Sequence, residues 1–133
     1  MAAVITTSAA QVSGPRTVWD AVYSAEQARR GERLAMERCV ACHGDNLSGG
    51  ELAPPLAGSL FTANWDGILL SDLVDRVRTT MPLDMPGTLS RQQTVDIVTY
   101  MLSVGKFPSG ETPLATDGGT LGQITFRSLR PEP

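Results

Sequence analysis

The residues best able to do chemistry lie together at positions 39–43, which read Cys-Val-Ala-Cys-His. Cys39 and Cys42 are the only cysteines in the chain, and His43 is its only histidine. A Cys-x-x-Cys-His sequence is typical of covalent haem c attachment. Thiols at this spacing can add to the two vinyl groups of one porphyrin, and the adjacent imidazole can then serve as an axial iron ligand. The pattern predicts one covalent haem c held by Cys39, Cys42 and His43.

Other sites built on two cysteines fit this chain less well. A tetrahedral zinc site needs four ligands, usually from two separated pairs, and the sequence has no second pair. A thioredoxin-like dithiol needs a βαβ context, which the surrounding sequence does not show. A disulfide between such close neighbours closes a very short loop and constrains little of the unfolded chain. A structural or interaction module with a disulfide stays the alternative, and covalently retained haem distinguishes it.

Length and composition indicate one small domain. The chain has 133 residues, of which 41% are apolar, and its formal net charge is −3. Lys106 is the only lysine, and no basic run or mixture of basic and aromatic residues occurs, which argues against a nucleic-acid partner. No continuous apolar stretch is long enough to span a bilayer. The composition therefore favours a compact domain without a transmembrane segment.

Three segments have the periodicity and end signals of helices. Ser24 with Gln27, and Ser90 with Gln93, have the spacing of capping boxes. Ser71 is predicted to cap the middle helix. The predicted helices are 25–38, 72–80 and 91–104.

The remaining segments are predicted to be loops, an extension and a tail. Residues 44–67 are rich in glycine and show no sustained period. We expect residues 1–19 to be a disordered N-terminal extension or the remnant of a leader, and 20–110 to form the domain. Residues 111–133 should form an irregular C-terminal tail packed on the domain. Within it, 121–127 could be a short extended segment lying along the surface, since a lone strand cannot stabilise itself.

A second axial ligand for the iron would have to be a side chain other than histidine. The only lysine follows the last helix, so Met81 and Met85 are the strong candidates. Each is followed by a proline, Pro82 or Pro86, which keeps the segment non-helical and stiff. Methionine opposite histidine raises the reduction potential of the iron. From the residues alone, either methionine could be the ligand.

Taken together, these pieces resemble a class I c-type cytochrome. The resemblance covers about residues 20–110 and rests on several motifs in order, namely Gly31, Cys39-Val-Ala-Cys42-His43-Gly44, Pro54-Pro55-Leu56-Ala-Gly58, Trp65, Thr80-Met81-Pro82, Pro86-Gly87 and Tyr100. It implies an all-α protein, a small cytochrome c fold with three to four helices and long loops around one covalent haem. More narrowly, the chain is similar to cytochromes associated with periplasmic dehydrogenases.

The resemblance also implies roles for individual residues. Met81 matches the methionine ligand, whereas Met85 stands where related sequences usually carry a residue that is not a ligand. Pro54 matches a proline whose carbonyl accepts the Nδ1–H of the ligand histidine, here His43. Trp65 matches an aromatic residue near the haem propionates, and packing in the core is the alternative role for it.

Packing expectations follow from the same resemblance. Gly31 should allow the first and last helices to cross closely. Ala35 stands where members often carry an aromatic residue, and we expect Tyr23 or Met36 to fill the space. Met36 and Met101 lie within helical patterns, which predicts that both are core residues.

The function implied by the resemblance is electron transfer, with no catalytic residues. The donor would be a dehydrogenase and the acceptor an oxidase or another cytochrome. Covalent haem attachment implies maturation outside the cytoplasm, so we expect an exported, periplasmic protein whose leader is absent or only partly present. Two alternatives stay open: a haem subunit of a larger oxidoreductase, and a haem enzyme or gas sensor with a labile sixth ligand.

Overall fold

The computed structural model describes residues 14–132. Its helices are α1 (Ala25–Arg38), α2 (Val40–His43), α3 (Ser59–Trp65), α4 (Leu70–Thr80), α5 (Arg91–Val104) and α6 (Gly118–Leu121), and its strands are β1 (Arg16–Thr17) and β2 (Ile124–Thr125). Asp45–Leu47 form a single 3₁₀ turn. The protein is therefore mostly helical, as predicted. None of the helices in the described part of the chain is both long enough and apolar enough to cross a membrane.

Two of the three predicted helices have the predicted bounds, because Ser24 caps α1 and a complete capping box begins α5. The Ser90 hydroxyl accepts the N–H of Gln93 at 3.1 Å, and the Gln93 side chain accepts the N–H of Ser90 at 2.9 Å, which completes the capping box of α5. The middle helix, α4, begins earlier than predicted, at Leu70. Ser71 consequently lies inside the helix and does not cap it.

Helix α5 is the centre of the core and crosses α1 closely. All residues from 94 to 102 are buried, including the polar Thr94, Asp96 and Thr99. A Cβ atom on Gly31 of α1 would lie 1.8 Å from the Asp96 carbonyl oxygen. The predicted role of Gly31 is confirmed, since only a residue without a side chain allows the two helix backbones to approach this closely.

Of the two methionines predicted to be core residues, Met101 is buried and Met36 is not. Ala35 and Met101 are buried, and Tyr23 is buried with its hydroxyl donating to the Phe107 carbonyl at 2.6 Å. Met36 is 59% exposed, so its prediction as a core residue was wrong. The buried residues of α1 include Ala28, Gly31 and Ala35, and Met36 is not among them.

Helix α3 lies within the segment that was predicted to be a loop. It spans Ser59–Trp65 and starts after Gly58, which has a φ of 89° and no side chain to cap the helix. The sequence of this segment has neither a polar capping side chain nor a long apolar period that would indicate a helix. Its buried residue, Phe61, packs on the C-terminal part of the chain, which explains why a short segment becomes helical here.

The described N-terminal residues and the C-terminal segment pair with each other. Strand β1 is parallel to β2, with Arg16 opposite Ile124 and Thr17 opposite Thr125, and Val18 is buried. Residues 16–18 thus differ from the expectation that 1–19 lie outside the fold, while 1–13 are outside the described residues. The pairing joins two segments that lie far apart in the sequence, so neither segment by itself predicts it.

The C-terminal segment contributes to the core and does not lie along the surface, so that prediction was wrong. Ile124 is fully buried and Phe126 is 1% exposed. The Phe126 ring lies 5.2 Å from the Phe107 ring and 5.7 Å from the Phe61 ring, centroid to centroid. Aromatic pairs at these separations add to the energy of burial.

A buried polar network holds the C-terminal segment at a second point, Leu114, which precedes β2 in the sequence. The Gln27 side chain accepts the Leu114 N–H at 2.6 Å and donates to the Leu114 carbonyl at 3.1 Å. Its amide nitrogen also lies 3.2 Å from the Asp96 carboxylate, which Arg30 approaches at 3.4 Å. The Gln27 N–H still donates to the Ser24 hydroxyl at 3.2 Å, but the Gln27 side chain does not complete the predicted capping box and bonds across the domain instead.

Candidate functional site

Helix α1 delivers the two cysteines and the histidine to one short turn. The helix ends at Arg38, and the Cys39 N–H still donates to the Ala35 carbonyl at 2.8 Å. The Cys39 carbonyl then accepts the N–H groups of Cys42 at 3.2 Å and His43 at 3.0 Å. These bonds form α2, which places the three side chains within one helical turn.

Both thiols are free in the structure, which contains no disulfide between them. Cys39 is half-buried and Cys42 is exposed. Burial raises the pKa of the Cys39 thiol, and the nearby Arg38 charge lowers it by less. Both sulfurs are therefore available for thioether bonds. Among residues 14–132, no group of three or more His, Cys, Asp or Glu side chains could hold a metal ion.

The structure brings His43 and Pro54 together, as the resemblance implied. The His43 ring is buried, with Nδ1 2.7 Å from the Pro54 carbonyl oxygen. A carbonyl can only accept a hydrogen bond, so Nδ1 is the donor, and in the neutral ring Nε2 is the nitrogen with the free lone pair. This arrangement prepares Nε2 to bind a metal ion, because the second-shell bond selects the tautomer and orients the ring.

The turn after the histidine places the Pro54 carbonyl. The Gly49 N–H donates to the His43 carbonyl at 2.7 Å, and the Leu56 N–H donates to the Leu47 carbonyl at 2.9 Å. Gly49 has a φ of 89°, and a Cβ atom there would lie 2.8 Å from the Pro55 nitrogen. Sequence reasoning placed this residue in a loop and missed its role. Its signal was the pair of glycines a few residues before the pair of prolines.

Trp65 ends helix α3 and is half-buried. Its ring lies 6.1 Å from the Phe61 ring, centroid to centroid, and packs against the core cluster. The indole N–H makes no hydrogen bond to residues 14–132, so it remains able to donate to another group. The geometry therefore accommodates both roles that the sequence left open for this residue.

The two methionines differ in their surroundings. Met81 ends α4 in an extended conformation, is partly buried, and donates its N–H to the Val77 carbonyl at 2.9 Å. Met85 is 50% exposed, and its N–H donates to the Pro82 carbonyl at 2.9 Å within a local turn. Met81 is thus held by a helix end, whereas Met85 lies on the outer part of the segment.

The chemistry of these residues fits a haem group. The chain carries one thiol pair, an imidazole with an oriented ring and two candidate thioethers, which are the donor types that hold covalent haem. Large apolar side chains are also exposed on the segments that follow the histidine and Met81, namely Leu52, Leu60, Leu83 and Met85. An apolar porphyrin ring would cover surface of this kind, because removing apolar side chains from water lowers the free energy.

A family model describes the core of this chain. The model for "cytochrome c oxidase, cbb3-type, subunit III" matches residues 26–101, from α1 to the last turns of α5. The match contains the cysteines, His43 and both candidate methionines. No curated protein matches the chain.

One solved structure shares the fold. The crystal structure of the sulfane dehydrogenase SoxCD from Paracoccus pantotrophus superposes with a TM-score of 0.58 at 24% sequence identity. The alignment covers 81% of this chain, and the chain spans 61% of that protein chain. The family match and the shared fold agree with the resemblance predicted from the sequence. The chain belongs to the class I c-type cytochromes, a family of electron-transfer haem proteins whose haem c is covalently bound.

Proposed function

We propose that this protein is an electron carrier with one haem c, attached through Cys39 and Cys42 and ligated by His43 and Met81. The observation that carries the proposal is the 2.7 Å contact between His43 Nδ1 and the Pro54 carbonyl. It orients the His43 ring, directly after the second thiol residue, so that in the neutral ring Nε2 can bind a metal ion.

Each residue has a separate task in this proposal. Haem c, when bound, supplies an iron that gains or loses one electron without making or breaking bonds to a substrate. Cys39 and Cys42 anchor the group, and Pro54 keeps the His43 ring in one orientation. Trp65, at the end of α3, has an indole N–H that can donate to a propionate. None of these proposed roles requires the protein to transfer a proton to or from a substrate.

Met81 is the proposed second axial ligand. Its position at the end of α4 supports this, because the helix limits the movement of its backbone and the side chain is partly shielded from water. Met85 is more exposed and serves as the alternative ligand. A thioether opposite histidine favours ferrous iron and closes the iron to small ligands.

The central experiment measures covalent haem. The full chain, produced with the c-type maturation machinery, is denatured in alkaline pyridine and examined by absorption spectroscopy and intact mass. We expect one retained haem per chain, and little carbon monoxide binding by the reduced native protein. Cys39→Ala and Cys42→Ala should each leave one thioether and shift the haemochrome band. A chain without retained haem would overturn the proposal, and rapid carbon monoxide binding would favour an enzyme or sensor with a labile sixth ligand.

The proposed location is the periplasm, and the proposed donor is a dehydrogenase. The shared fold with a sulfane dehydrogenase supports a dehydrogenase donor, while the family description, an oxidase subunit, supports a role within a larger oxidoreductase. Cell fractionation tests the location. Affinity purification under mild conditions distinguishes the two arrangements, because a carrier should elute alone and a subunit should elute in a stoichiometric complex.

A further inference from the structure

A hydrogen-bonded bridge joins the attachment motif to the methionine segment, defined here as residues 81–88. Arg38, directly before Cys39, donates from its guanidinium to the Thr88 hydroxyl at 2.5 Å. The same hydroxyl donates to the Met85 carbonyl at 2.8 Å. One threonine hydroxyl can accept and donate at the same time, so both bonds can exist together. The bridge therefore spans from the end of α1 to the turn that follows Met81.

The methionine segment has few other ties to the protein. Residues 83–88 are all exposed, and the bonds of Met85 and Thr88 described so far close local turns. Among residues 14–132, the bond from Arg38 is the only hydrogen bond that joins residues 82–88 to another part of the chain. The segment is anchored at its ends by helix α4 and by the buried Leu89. Segments with few buried contacts open at a low cost in free energy. One additional hydrogen bond therefore makes up a large part of what keeps such a segment closed.

We propose that Arg38 and Thr88 are positioning residues that hold the methionine segment closed over the iron site. The inference rests on the proposed function, in which Met81 is the sixth ligand. With the bridge intact, the segment would keep Met81 near its proposed binding position. Without it, the segment opens more often, and a small external ligand competes more effectively for the sixth position. The bridge thereby sets how firmly the site excludes other ligands.

Thr88→Ala provides the sharpest test because it removes the bridge without changing charge. The measurement is the affinity of the ferric protein for imidazole, which must displace the methionine, together with the thioether-to-iron absorption band. We expect Thr88→Ala and Arg38→Ala to raise imidazole affinity about three- to tenfold, the scale of one hydrogen bond. The double variant should gain no more than the larger single effect, because both changes break the same bridge. Thr88→Ser should behave like the wild type.

Two control variants separate the bridge from general effects. Thr79→Ala removes an exposed threonine whose hydroxyl bonds within α4, and Arg33→Ala removes an exposed arginine of α1. Both should leave imidazole affinity unchanged. If Arg38→Ala changes the affinity while Thr88→Ala does not, the arginine acts through its charge and the positioning role is wrong. If the wild type lacks the thioether band, the proposed ligand itself is wrong and the bridge falls with it.

Discussion

Gly31 of α1 lies directly against the carbonyl group of Asp96 in α5, with no room for a side chain between them. A Cβ atom at Gly31 would come within 1.8 Å of the Asp96 oxygen and 2.5 Å of its carbonyl carbon. Both contacts are with backbone, which cannot turn aside as a flexible side chain can. The crossing of α1 and α5 therefore depends on this one glycine. Because α1 also ends at the cysteines, the crossing fixes where the attachment motif lies.

Gly31→Ala should consequently destabilise the protein by about 3 kcal/mol or more, at the upper end of the cost of overpacking a core. The helices must separate to admit the methyl group. Urea unfolding followed by circular dichroism measures the change. Gly118→Ala is the control, because the nearest atom to its added Cβ is the Arg91 side chain at 3.8 Å. A Gly31→Ala protein as stable as the wild type would contradict the close approach.

Met81→Ala should abolish the thioether-to-ferric-iron absorption band, whereas Met85→Ala should keep it. The reason is that Met81 is partly buried at a helix end and Met85 is half exposed. The two variants control for each other, since each removes one thioether from the same segment. The opposite pattern would assign the ligand to Met85.

Gln27→Leu should lower the free energy of unfolding by about 2–4 kcal/mol, because it leaves the Leu114 N–H and carbonyl buried without partners. Gln27 is fully buried and bonds to both groups. Gln92→Leu is the matched control: Gln92 is exposed, although it also bonds to Asp96 at 2.8 Å, so its loss should cost under about 1 kcal/mol. Equal losses would show that the tail is not held by Gln27.

Phe126→Ala should cost about 3–5 kcal/mol, the usual range for deleting a buried aromatic ring. The ring lies between those of Phe107 and Phe61, so its removal opens a cavity next to α3. Thermal and urea unfolding measure the loss. Leu129→Ala, at an 81% exposed position three residues on, should change the stability little. A small effect of Phe126→Ala would mean that the tail packs loosely.

Tyr23→Phe should lower stability by about 1 kcal/mol at neutral pH, the net value of a typical hydrogen bond. Burial raises the pKa of Tyr23 above its ordinary value of 10.0. The unfolded chain therefore loses this proton at lower pH than the folded protein, and the wild type loses stability as the pH rises through and above that value. Phenylalanine does not titrate, so the stability gap between wild type and variant should narrow above about pH 10. A gap that is constant with pH would contradict the raised pKa.

Local features of the sequence predicted the parts of the fold that depend on neighbours along the chain. The bounds of α1 and α5 follow from Ser24, Ser90 and Gln93, whose side chains bond to backbone groups three residues away. The spacing of Cys39, Cys42 and His43 likewise belongs to a single turn. These residues interact within a few positions, so their order in the sequence is sufficient to predict them.

The remaining features of the fold and of the candidate site depend on contacts between segments that are distant in the sequence. The position of the Pro54 carbonyl on His43 was expected only by resemblance, and the structure shows the turn at Gly49 that creates it. Gln27 has the spacing of a capping residue, yet its side chain bonds to the buried backbone of Leu114, 87 residues away. The reason is that unpaired polar groups are costly inside a protein.

The sequence by itself determined that this chain carries a covalent haem motif at the end of a helix, together with two candidate methionines. Only the tertiary structure decided that the C-terminal segment with Phe126 belongs to the core and that Arg38 reaches Thr88. The physical reason is the same in both cases. Burial and hydrogen bonding between segments depend on which surfaces meet in space, and no local period or spacing in the sequence encodes that meeting.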